Sequence, residues 1–101
     1  MTVNSKLSEN NTKLTITINE RFDFSLHQVF RDTYTGITTK NLSYILDLSQ
    51  TDYMDSSALG MILLLKDHVQ LYSGQLIISK PSDTVRKILE IAQFQRLMTI
   101  E

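Results

Sequence analysis

The spacing of apolar positions changes several times along the chain, and each change marks an element. In "TKLTITI", Leu14, Ile16 and Ile18 alternate with Lys13, Thr15 and Thr17. That period of two predicts a half-buried strand. Ahead of it, "VNSKLSE" and the Asn10-Asn11 pair predict a weaker strand and a tight turn. From Ser25 onward the spacing becomes helical, with Leu26, Val29, Phe30, Tyr34 and Ile37 near one face and Gly36 placed to stop the helix. "SYILDLS" is a short apolar run rich in aromatic and branched residues, which predicts a buried strand. A helix follows from about Ser56 to Tyr72, closed by Gly74, and "QLIIS" then predicts another strand. Strand, helix and strand with short connections form a parallel crossover, expected to be right-handed. Pro81 ends that strand, and Ser82 suits the N-cap of a helix carrying Val85, Ile88, Leu89 and Ala92 on one face. The tail "FQRLMTIE" predicts a last turn and a short edge strand. The order is β-β-α-β-α-β-α-β, an α/β fold with a mixed sheet of about four to five strands and helices packed against it.

Composition narrows the function classes. A length of 101 residues suits one domain, 1–101, and 42% hydrophobic content can build its core. Ten Lys and Arg against eleven Asp and Glu leave a net charge of −1, with no basic footprint for nucleic acid or anionic lipid. The chain has no cysteine, which is compatible with a reducing cytoplasm and gives neither disulfides nor thiolate chemistry. Its start, "MTVNSKLSEN", lacks the pattern of a signal peptide, and its apolar runs fall well short of the roughly 20 residues of a membrane helix.

Candidate chemistry concentrates in "MDSSALGMILLL", residues 54 to 65. Asp55 fits the N-cap, where its carboxylate would accept from first-turn amides and complement the helix dipole. On spacing alone a plain helix start accounts for Asp55, Ser56 and Ser57. The functional alternative is phosphorylation, since free amides and the dipole at a helix start can hold a phosphate of about −2 charge. Ala58, Ile62, Leu65, Val69 and Tyr72 make one stripe, which Leu59 and Leu63 broaden, while Met61 and Leu64 fall off it. These last two are either covered by a neighbouring helix or left as a contact patch, a use to which methionine is well suited.

Catalytic and ligand-binding patterns are weak. Ser56 lacks a Gly-x-Ser-x-Gly elbow, and His27 and His68 lie on separate predicted helices, each read as a surface residue. Two distant histidines without cysteine give no metal site. With no phosphate-binding glycine loop, no cofactor is expected. Asp47 inside "ILDL" reads as a hydrogen-bonded structural acid near a strand end, with a site role as the alternative.

The stretch "ILDLSQTDYMDSSALGMILLL" resembles the STAS domain family, and most of all its stand-alone anti-sigma-factor antagonists. It matches a pattern of buried strand, short loop, Asp-Ser-Ser, small residue, Leu-Gly and apolar helix. "INERFDF" and "KPSDTVRKILEIAQFQRL" support the match, which covers roughly residues 3 to 100. The resemblance implies a non-enzymatic, cytoplasmic partner switch, monomeric or weakly dimeric. Unmodified, such a protein binds a serine kinase of GHKL type that often doubles as an anti-sigma factor. Phosphorylation of the serine after the motif Asp breaks the complex, and a PP2C-type phosphatase reverses the change. Carried over, the acceptor is Ser56, with Asp55, Ser57 and the family acid Asp23 around it; together with the surplus apolar residues of the helix, this places the expected partner face at Ala58, Met61 and Leu64. Similar proteins also regulate biofilm polysaccharide production. The alternative within the same fold is an accessory subunit docking on the nucleotide-binding subunit of a transporter; a small-ligand sensor is a third class. Two positions depart from the family pattern. Ala58 replaces a usual Gly, favouring helix by about 1 kcal/mol. Asn19 replaces the Gly of the turn before Asp23 and is expected to tolerate left-handed geometry there.

Overall fold

A computed structural model describes residues 2–101. The alternating segment becomes β2 (Lys13–Ile18), with Leu14, Ile16 and Ile18 buried on one face. It pairs antiparallel with β1 (Val3–Leu7), Val3 opposite Ile18 and Leu7 opposite Leu14. Between them Asn11 takes a left-handed φ of 57°, and the Asn10 side chain accepts from the Ser8 and Thr12 hydroxyls at 2.8 Å each. β4 (Ser43–Asp47), β6 (Gln75–Ser79) and β7 (Thr99–Ile100) then add in parallel, giving a five-stranded mixed sheet of order β1-β2-β4-β6-β7.

Three α-helices connect these strands. α1 (His27–Asp32) follows a short 3-10 turn, Phe24–Leu26, and is shorter than the periodicity predicts. Tyr34 still reaches the core, from the turn beyond the helix. α2 (Ser56–Leu71) links β4 to β6 and buries Ala58, Met61, Ile62, Leu65 and Val69. α3 (Asp83–Ile91) starts at Ser82, whose hydroxyl accepts from the Val85 amide at 3.3 Å, and buries Val85 and Leu89.

The end of α2 differs from the expected glycine cap. Ser73 holds the left-handed φ of 58°, and its amide bonds to Gln70 O while that of Gly74 bonds to Val69 O. Gly74 is needed for space instead: a Cβ there would stand 2.5 Å from Leu42 O and 3.2 Å from Val69 Cγ1. The left-handed residue before Asp23 likewise proves to be Glu20, φ 70°, and not Asn19.

One piece of architecture lies outside the elements that the periodicity predicts. β3 (Glu20–Phe22) and β5 (Thr51–Met54) form a separate two-stranded parallel ribbon where only turn and loop are expected. Thr51, a buried polar side chain, ties this ribbon to the main sheet by donating from Oγ1 to Ile18 O at 2.8 Å. The Glu20 amide adds a bond to Gln50 O, also at 2.8 Å.

Candidate functional site

The ribbon carries the two acids singled out by sequence to the same place. Phe22 and Met54 pair and point into the core, while Arg21 and Tyr53 pair on the solvent side. A register shift at Asp52 restores this alternation after Glu20 pairs with Thr51. One step further on, the Asp55 amide bonds to Phe22 O at 3.4 Å, so Asp23 and Asp55 leave the ribbon side by side.

Each acid then caps a helical turn in the same manner. Asp23 is extended, and its Oδ1 accepts from the Ser25 amide at 3.0 Å and the Ser25 hydroxyl at 2.5 Å. Asp55 is also extended, and its Oδ1 accepts from the Ala58 amide at 3.2 Å and the Ser57 hydroxyl at 2.5 Å. The cap at Asp55 is the one the sequence predicts. The Ser25 hydroxyl holds the Asp23 carboxyl below its ordinary value of 3.8, aided by the Ser25 amide and the nearby Arg21 guanidinium and opposed by partial desolvation. Arg21 Nε lies 3.3 Å from Asp23 Oδ2, and its guanidinium carbon sits 4.1 Å from the centre of the Tyr53 ring.

The two adjacent serines are therefore not equivalent. Ser57 is half-buried with its hydroxyl committed to Asp55. Ser56 is exposed at the first position of α2, and its side chain makes no hydrogen bond among the described residues. No acidic side chain stands in the first turn of α2, whose free amides and positive dipole end point at this spot.

The expected contact face needs correction. Met61 is only 3% exposed and belongs to the core, and Ala58 is fully buried, so neither offers surface to a partner. Leu64 is 52% exposed as expected, and Leu63, assigned to the core stripe, is 39% exposed. The cause is the breadth of the buried arc: α1 packs beside α2, so α2 is covered on a second side. Leu64 lines a shallow groove of about 270 Å³ with Arg31, Tyr34, Thr35 and His68.

His68 is not a surface residue. Its Nε2 lies 2.7 Å from Ile37 O, and its ring packs against Tyr34, Tyr44 and Tyr72, pinning the segment after α1 to α2. His27 is half-buried, stacked on Phe24. Asp47 accepts from the Ser49 amide at 2.9 Å, shaping the turn after β4. A larger concavity of about 420 Å³, lined by Lys66, Gln70 and Arg96 among others, begins ten residues along α2 from Ser56, about 15 Å away. Among the described residues no group of His, Asp or Glu is placed to hold a metal ion. No helix among them is long and apolar enough to cross a membrane.

Comparison with known proteins shows the family and the fold. The STAS domain family matches the chain over residues 4–101. The chain belongs to the STAS domain family. A relative, the STAS-domain containing protein PA14_20770 of Pseudomonas aeruginosa strain UCBPP-PA14, is 43% identical over 100 residues, 99% of each chain. Among solved structures, the fold resembles a Thermotoga maritima protein provisionally assigned as an anti-sigma factor antagonist. The TM-score is 0.80 at 17% identity, covering 97% of this chain and 84% of that one. It also resembles the anti-sigma factor antagonist SpoIIAA in its unphosphorylated form. There the TM-score is 0.73 at 20% identity, covering 98% and 86%. At such identities these two likenesses establish the STAS fold, with its mixed sheet and three helices.

Proposed function

We propose that this STAS domain is a non-enzymatic, phosphorylation-controlled interaction module of a cytoplasmic partner-switching pathway. The observation that carries the reading is the contrast between the two serines: Ser56 is exposed and unbonded, while Ser57 is locked to Asp55. The fold likeness to two anti-sigma factor antagonists adds support. Unmodified, the surface around Ser56, Asp23, Asp55 and the exposed Leu64 binds a serine kinase of the anti-sigma type. The kinase transfers the γ-phosphoryl group of ATP to Ser56 Oγ, which loses its proton as ADP leaves. The product carries about −2 of charge at a helix start that tolerates it, so α2 stays folded. The bound partner meets that charge beside two carboxylates, and the complex separates. Hydrolysis by a PP2C-type phosphatase returns Ser56 and inorganic phosphate.

The test is mass spectrometry after incubation with the cognate kinase and ATP. Phosphate on Ser56 is expected. Phosphate on Ser57 alone overturns the assignment, and no phosphate at all favours docking on a transporter subunit.

A further inference from the structure

We infer that Arg21 is the counter-ion of phospho-Ser56, exchanging its bond to Asp23 for one to the phosphate. This rests on the proposed modification of Ser56 and adds the side chain that responds to it. The Arg21 side chain is 61% exposed on the solvent face of the ribbon. Its guanidinium lies over Tyr53 and reaches forward to Asp23, toward the end of the ribbon where α2 begins. The Asp55 amide bonds to Phe22 O, so Asp23 stands beside Asp55, the residue immediately before Ser56. The Asp23 contact engages Nε and leaves the two terminal nitrogens of Arg21 outside it.

Charge decides which anion Arg21 holds. Arg21 contacts Asp23 and Tyr53; the other carboxylates of the ribbon and the α2 cap are Glu20, Asp52 and Asp55, and α3, packed against β5, carries Asp83, Arg86, Lys87 and Glu90. A phosphate added there brings about two further negative charges and three strong acceptor oxygens. Arginine pairs with phosphate in a forked, two-bond geometry, and a dianion competes well against one carboxylate. Tyr53 keeps the guanidinium on this face while it changes partner, since a cation over an aromatic ring is attracted without a fixed hydrogen-bond direction. The partner-facing surface then changes at two points: Ser56 gains a phosphate, and Asp23 loses its cation while keeping its bonds to Ser25.

The experiment installs phosphoserine at position 56 during translation of the full chain, so no kinase is required. Titration followed by phosphorus NMR compares the wild type with Arg21→Ala and Arg21→Lys. The phosphate of the wild type is expected to release its second proton about half a pH unit or more below that of Arg21→Ala, roughly threefold in proton affinity. Arg21→Lys should fall between them, and about 0.5 M salt should shrink the difference. The Arg21 Nε resonance should also move when phosphoserine replaces Ser56. Coincident titrations in wild type and Arg21→Ala, or an unmoved Nε resonance, overturn the assignment and leave the partner switch standing. Failure of the kinase to modify Ser56 instead removes the switch, whatever Arg21 does in the installed form.

Discussion

Replacing Asp55 by alanine tests the link between the helix cap and the choice of acceptor. The carboxylate supplies one hydrogen bond to the Ala58 amide, and such a cap contributes about 1 kcal/mol. Its charge at the positive end of the dipole adds roughly 0.3–1 kcal/mol, and no other acid in the first turn of α2 can substitute. Asp55→Ala should therefore cost about 1.3–2 kcal/mol, which lowers the melting temperature of a domain this size by roughly 6–10 °C. Asp55→Asn keeps an acceptor oxygen and loses the charge, so it should cost only about 0.5 kcal/mol. Urea unfolding with an unchanged m-value measures both. The same substitution frees the Ser57 hydroxyl from its 2.5 Å bond. Phosphopeptide mapping should then find Ser57 modified alongside Ser56, which it should not in the wild type. Equal losses in the two variants would refute the hydrogen-bond contribution, and an Asp55→Asn protein as stable as the wild type would refute the charge contribution. A folded Asp55→Ala protein modified only at Ser56 would show that hydrogen bonding is not what protects Ser57.

Gly74→Ala places a methyl group 2.5 Å from a backbone oxygen and should destabilise by about 2–3 kcal/mol in chemical denaturation, although Gly74 has no left-handed φ. Met61→Ala should cost about 2–4 kcal/mol with partner affinity of the folded fraction retained, whereas Leu64→Asp should leave stability nearly unchanged and weaken binding in calorimetry. The Asp23 carboxyl is lowered in the folded state, so its contribution is complete above pH 3.8 and is lost as pH falls through the lower folded value. Stability measured across that window should fall less steeply in Asp23→Asn than in the wild type.

The elements legible in the sequence are those with long, regular periodicity. β2 shows a clean alternation, α2 runs sixteen residues from an acidic cap, and Ser82 heads α3 as its spacing predicts. The ribbon was not legible because β3 and β5 are three and four residues long, too short for a period to emerge, and a bulge at Asp52 breaks even that. Yet the ribbon is what brings Asp23 to Asp55. Sequence could mark Asp23 by family resemblance; the pairing of Phe22 with Met54 supplies the physical cause. The buried face of α2 differs from the spacing-based stripe because α1 covers the helix on a second side, which shifts the buried arc toward Met61 and away from Leu63. Left-handed residues were misplaced for a related reason. Glycine is the best residue for positive φ, but Glu20 and Ser73 adopt it here, held by the hydrogen bonds of Glu20 to Gln50 and of Gly74 to Val69.

The central claim is that phosphate on Ser56 releases the partner. Its most direct test is the affinity of the cognate kinase, loaded with ADP so that no transfer occurs, for the chain carrying serine or phosphoserine at position 56. Binding at least tenfold weaker is expected for the phosphorylated chain, about 1.4 kcal/mol, with Ser56→Ala binding like the unmodified protein. Equal affinity for the two forms would contradict it.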